Sequence, residues 1–127
     1  MKKLLLIFLA LPSIFFSQTA EEYSKMSDKK IEQKDYQYAM MLIDKAIELD
    51  NNNYWYYLKK GEIQFKLTNP YDAIDIVKKV LLMDNKFAEA YNRIANYYDS
   101  AGDEDSAIVM YNIAIGYADN DTTKHSY

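Results

Sequence analysis

The chain has 127 residues, with 15 Lys and Arg against 19 Asp and Glu for a formal net charge of −4, and it contains no Cys, one His, three Gly, two Pro and 13 Tyr. Without Cys there is no disulfide framework, thiolate metal site or cysteine nucleophile, and three isolated glycines, Gly61, Gly102 and Gly116, cannot shape a glycine-rich phosphate cradle. The acidic balance argues against a nucleic-acid partner, whose phosphates need clustered Lys and Arg.

The chain opens with Met1-Lys2-Lys3, an apolar run from Leu4 to Leu11 and the exit segment Pro12-Ser13-Ile14-Phe15-Phe16-Ser17-Gln18, then turns polar at Thr19. A cationic start, a short apolar stretch and a small residue form the layout of a secretory signal peptide, assigned here to residues 1–17. The stretch from Leu4 to Phe16 holds a proline and a serine and falls short of the ~20 apolar residues of a membrane-spanning helix. Cleavage is therefore expected to leave no integral membrane span. Loss of Lys2 and Lys3 leaves 13 basic against 19 acidic residues, a net charge of −6. The expected location is periplasmic or secreted.

Thr19, with Glu22 three residues on, has the form of a capping box that starts a helix. Lys34-Asp35 interrupts the helical pattern, which resumes as far as the turn-forming run Asp50-Asn51-Asn52-Asn53. In the next segment Asn69 is a favoured N-cap and Pro70 is pre-organised for a first helical position, so a second helix starts there; Asp84-Asn85 ends it. The third segment breaks at Gly102-Asp103 and closes at Asp119-Asn120-Asp121. Its Asp103-Glu104-Asp105 suits a helix start, where acidic side chains complement the dipole. Apolar residues recur at three- and four-residue intervals throughout, predicting amphipathic helices and an all-α fold.

These segments repeat. Tyr23, Tyr57 and Tyr91 lie 34 residues apart, as do Ala39, Ala73 and Ala107. Ser27, Gly61 and Ala95 form a small column, Ile43, Val77 and Tyr111 a bulky one, and Ala46, Val80 and Ala114 a small-to-medium one. Ile47, Leu81 and Ile115 are aliphatic, and Asn51, Asn85 and Asp119 are turn formers. Tyr91, Ile94, Ala95, Tyr98, Gly102, Ala107, Tyr111 and Ala114 carry the resemblance best, and the chain resembles three tandem tetratricopeptide repeats. The resemblance covers residues 18–121, as repeats 20–53, 54–87 and 88–121, with residues 122–127 as a short tail. It implies a right-handed α-solenoid of helix-turn-helix hairpins. Tyr23, Ala39, Ala46, Tyr57, Gly61, Ala73, Tyr91, Ala95, Ala107 and Ala114 take its structural positions. A side chain larger than Ala at the small columns would overpack a close helix crossing, at about 1–3 kcal/mol. No hairpin buries its apolar face alone, so stacking closes the core.

No enzyme, cofactor or metal site emerges from these residues. His125, the sole histidine, falls in the polar tail without partners to make it a base or a ligand. The resemblance implies instead a concave groove lined by positions two, five, nine, twelve and thirteen of each repeat. These are Glu21, Ser24, Asp28, Ile31 and Glu32, then Trp55, Leu58, Glu62, Phe65 and Lys66, then Glu89, Asn92, Asn96, Asp99 and Ser100. An apolar centre between acidic flanks is the expected layout of a peptide-binding hot spot in a polar rim. The carboxylate clamp of chaperone-docking members is not expected, because Ser24 and Asp28 stand where its first Lys and Asn would be. An acidic groove favours a neutral or basic segment.

The expected function is a non-catalytic interaction module of the bacterial cell envelope, an adaptor or scaffold for a protein or peptide partner. The alternative is a small oligomeric subunit joined through repeat end faces. Tyr23, Tyr36, Tyr57, Tyr91, Tyr98 and Tyr111 occupy core positions; Tyr54, Tyr56, Tyr71 and Tyr97 do not, and with Trp55 they are candidates for a second recognition surface. Repeat arrays commonly end in a capping helix, and the six residues after Asp121 are too few to form one alone. The end face around Tyr98, Tyr111 and Ile115 is therefore expected to be covered by another molecule, a partner or a second copy in a homo-oligomer.

Overall fold

The computed structural model describes the backbone of residues 18–125 and the side chains through residue 120. The proposed leader, residues 1–17, lies outside the described residues. Six helices and no strand occur among those described: α1 (Ala20–Glu32), α2 (Tyr36–Leu49), α3 (Tyr54–Leu67), α4 (Pro70–Met83), α5 (Ala88–Ser100) and α6 (Glu104–His125). The first helices of the hairpins start at residues 20, 54 and 88 and the second at 36, 70 and 104, so both series step by 34.

Side-chain caps start five of these helices. Thr19 Oγ1 accepts from the Glu22 amide at 3.1 Å, Asp35 Oδ1 from Tyr38 at 3.3 Å and Asn53 Oδ1 from Trp55 at 3.1 Å. Asn69 Oδ1 accepts from Asp72 at 3.0 Å and Asp103 Oδ1 from Ser106 at 3.2 Å. Each bond satisfies one amide that the first turn leaves without an intrahelical partner. Pro70 opens α4, as expected from its fixed φ. Phe87, before α5, makes no such cap, and packing holds it instead.

The mid-hairpin turns divide by sequence. Lys34 and Gly102, two repeats apart, both take a left-handed conformation, with φ of 60° and 81°. Both turns close in the same way: Lys34 and Asp35 amides donate to Ile31 and Lys30 carbonyls, and Gly102 and Asp103 amides to Asp99 and Tyr98 carbonyls. The middle hairpin, with Thr68-Asn69-Pro70, turns without a positive φ.

Each helix packs on its hairpin partner, and each second helix on the first helix of the next hairpin. The apolar clusters accordingly sit at the seams. Ala39, Ile43 and Ala46 of α2 enclose Tyr56 and Ile63 of α3. Leu58 of α3 and Ala73, Ile74, Val77 and Val80 of α4 enclose Ala90, Ile94 and Tyr97 of α5. Tyr57 and Tyr91 are half-buried, and their hydroxyls donate to the Asn51 and Asn85 carbonyls at 2.9 and 2.8 Å, tying each ladder tyrosine to the preceding loop.

The small columns mark the helix crossings. Ser27 is fully buried and its hydroxyl donates to the Ala39 carbonyl at 2.9 Å. A Cβ on Gly61 would lie 2.8 Å from Val77 Cγ2 and 3.5 Å from the Ala73 carbonyl oxygen. The end of the chain departs from expectation. Residues 122–125 are not a separate tail, because α6 runs without a break to His125. Its counterparts stop at Leu49 and Met83, where the chain turns back to pack the next hairpin. With neither proline nor glycine after Gly116, adding residues to a formed helix costs little.

Two substitutions test this account. Gly61→Ala gains helix propensity but forces its methyl onto a stiff, buried valine, so a net loss of about 1–2 kcal/mol is expected in urea unfolding. A double-mutant cycle with Val77→Ala should return a coupling of about 1 kcal/mol. Lys34→Gly should raise stability by roughly 0.5–1 kcal/mol, because the left-handed region strains any Cβ.

Candidate functional site

With Ala20, Tyr54 and Ala88 as position one, the expected groove residues fall into two groups. Position five goes inward: Ser24 is 6% and Leu58 1% exposed, because the next hairpin covers them. Leu58 belongs to the second seam cluster and does not line a binding face. Its counterpart Asn92 stays half-exposed, since no hairpin follows it among the described residues.

The other positions form a strip along α1, α3 and α5. Asp28, Glu32, Lys66, Asn96, Asp99 and Ser100 are exposed, and Ile31, Glu62 and Phe65 are partly covered. Phe65 stacks at a tilt on Tyr97 with ring centroids 5.3 Å apart, and the Lys66 ammonium lies 5.8 Å from the Phe65 ring centre. Asn96 accepts a hydrogen bond from the Tyr111 hydroxyl through its side-chain oxygen. Trp55 stands at the N-terminal end of α3, 57% exposed and edge-on to Phe87 at 5.7 Å.

The expected acidic flanks are neutralised in part, at Glu21, Asp28 and Glu89. Lys59 Nζ lies 2.7 Å from Asp28 Oδ1 and 2.7 Å from Ser24 Oγ, joining α3 to α1. Arg93 repeats this bridge one hairpin on, 4.0 Å from Glu62 and 2.8 Å from Glu89. Lys59 and Arg93 are 34 residues apart, as are Asp28 and Glu62, so a base at position six meets the preceding repeat's acid at position nine. Lys25, at position six of α1, pairs within its own helix with Glu21 at 3.2 Å. The columns of opposite charge were present in the sequence, but nothing in it placed them across a seam.

The second aromatic surface does not assemble. Tyr56 and Tyr97 are buried, at 8% and 7%, on the sides of α3 and α5 that face the preceding hairpin. Tyr54 packs on Phe87, and Tyr71 is exposed beside Tyr98. Tyr71 begins α4 while Trp55 begins α3, so the two lie at opposite ends of one antiparallel hairpin. Burial pushes the Tyr97 phenol up to about 12; Glu62 adds to the rise and Arg93 opposes it.

No family model matches the chain. The human mitochondrial import receptor subunit TOM70 is 29% identical over 104 residues, which are 81% of this chain and 17% of that protein. Small glutamine-rich tetratricopeptide repeat-containing protein 2 of Mycosarcoma maydis is 30% identical over 92 residues, 72% of this chain and 26% of that protein. The chain thus spans about a quarter or less of these relatives. Among solved structures, MamA matches with a TM-score of 0.72 at 22% identity, over 83% of this chain and 61% of its own. The second TPR domain of Spaghetti (RPAP3), bound to the HSP90 peptide SRMEEVD, matches with a TM-score of 0.66 at 15% identity, over 77% of this chain and 91% of its own. The molecule is a tetratricopeptide-like repeat protein, an all-α solenoid of helical hairpins.

Tyr97 supplies a pH test. The folded chain keeps this proton up to about 12, whereas an unfolded tyrosine releases it near 10. Its contribution is therefore complete below about 10 and is lost as pH rises towards 12. Urea midpoints across this window should fall for the parent and fall less for Tyr97→Phe.

Proposed function

We propose that this chain is a non-catalytic adaptor of the bacterial cell envelope that holds a protein segment along the strip formed by α1, α3 and α5. The observation that carries this reading is exposed Trp55 on a strip where Lys59 and Arg93 are engaged by acids and Lys66 stands exposed beside the Phe65 ring. Lys59 is held by Asp28 and Ser24, and Arg93 by Glu89 and Glu62, so the strip keeps apolar surface at Trp55 and at the partly covered Phe65, with Lys66 as an exposed cation beside them. Such a surface suits a neutral segment with an apolar or aromatic side chain.

Tetratricopeptide-like proteins are protein-interaction modules, and two with this fold support a peptide ligand: the RPAP3 domain solved with an HSP90 peptide, and YrrB, described as having an unusual peptide-binding site. The cationic and apolar layout of residues 1–17 supports export. No part of the proposal requires a cofactor or a reactive side chain.

A photo-crosslinking residue at position 66 should form a discrete adduct in intact cells, mainly in the fraction outside the cytoplasm. Trp55→Ala or Phe65→Ala should each weaken that complex by roughly thirtyfold, with helical circular dichroism unchanged. Equal crosslinking from position 82, off the strip on α4, would count against the reading.

A further inference from the structure

The first and last turns of α3 carry different unused chemistry. Trp55, Lys59, Glu62 and Lys66 recur at four- and three-residue steps, so they share one face of the helix. The two in the middle are tied sideways: Lys59 to Asp28 and Ser24 of α1, each at 2.7 Å, and Glu62 to Arg93 of α5 at 4.0 Å. The two at the ends are not. The Trp55 ring meets Phe87 edge-on and stays 57% exposed. Lys66 is exposed beside the Phe65 ring. Whereas Lys25, Lys59 and Arg93 each reach an acid, Lys66 forms no ion pair among the described residues.

These two ends fix a length. Eleven residues separate Trp55 from Lys66, which places them about 20° apart around the helix and about 16 Å apart along it. An extended chain advances about 3.3 Å per residue, so a segment lying along α3 covers that distance in about five residues. Between these levels, on α5, Asn96 accepts from the Tyr111 hydroxyl through its side-chain oxygen, which leaves its Nδ2 hydrogens to donate to a carbonyl of such a segment. Glu32 and Asp99, exposed on the flanking helices, repel a second acid.

We propose that the strip selects an extended segment with two features: an aromatic or branched aliphatic side chain held at Trp55 and, about five residues from it, a single carboxylate held by Lys66. The rest of the segment is uncharged. The proposal rests on the strip being the ligand surface and adds the chemistry and spacing that its ligand must carry.

Selection of a random peptide library displayed on phage against the purified chain tests this. Enriched sequences are expected to pair an aromatic or branched aliphatic residue with Asp or Glu about five positions away, in either chain direction. Selection on Lys66→Glu should keep the apolar residue and place Lys or Arg at the same spacing, a reversal that a merely structural lysine would not produce. In fluorescence anisotropy, changing the selected peptide's acid to its amide, or moving it to a spacing of about two or eight, should weaken binding about fivefold. That difference should shrink as NaCl is added. Peptides that need Trp55 and Phe65 but carry no spaced acid, or a motif unchanged on Lys66→Glu, would overturn the proposal and leave the strip as the ligand surface. Peptides indifferent to Trp55→Ala and Phe65→Ala would remove the strip reading and the proposal together. A library without enrichment would also overturn the proposal, with crosslinking from position 66 deciding the strip reading separately.

Discussion

Where the two helices of a hairpin cross, the backbones approach until a side-chain hydroxyl or a single methyl decides the spacing. In the first hairpin Ser27 closes the gap by donating to the Ala39 carbonyl. In the second, Gly61 leaves room for Val77 to lie where a Cβ would otherwise be. In the third, Ala95 and Ala107 take the same register positions and are both buried. Interiors packed this tightly respond to one added methyl group. The spacing sets the angle at which the second helix presents its next face, and so where the following hairpin can sit.

From that geometry the core falls between hairpins. Tyr56 and Ile63 of α3 are buried only because α2 lies against them, and Leu58 only because α5 and α4 do. Polar contacts follow the same seams. The Lys59 to Asp28 and Arg93 to Glu62 bridges each join neighbouring hairpins, on partly exposed side chains. Exposed pairs of this kind contribute modestly to stability. They also change the character of the strip, since they neutralise charge at Asp28 and Glu62 along it.

The array is also directional. Each hairpin presents one face shaped by the residue pattern of α1, α3 or α5 and another by that of α2, α4 or α6. In the middle of the molecule these faces meet; among the described residues, the α1 and α6 faces at the two ends meet no further hairpin. Glu22 and Lys29 make the α1 end compatible with water, whereas Ile108 and Ile115 keep on α6 the chemistry of an internal seam.

Much of the fold was legible in one dimension, because small, aromatic and turn-forming residues recur at 34-residue intervals and a helix converts spacing directly into a shared face. The all-α class, the hairpin starts and the small residues at the crossings depend on near neighbours along the chain. Pro70, Thr19 and Asn69 act within three residues of themselves. The candidate site was legible only in part. Trp55, Phe65 and Lys66 reach the surface as their register implied, but Leu58 does not, and Tyr56 and Tyr97 turn inward. Whether such a side chain meets solvent is decided by a hairpin 34 residues away, through packing that no local pattern encodes. The pairing of Lys59 with Asp28 and the continuation of α6 to His125 belong to the same class. The sequence by itself determined which residues share a helix face; only the stacking of hairpins decided which of those faces are covered, because coverage depends on a neighbour's position in space.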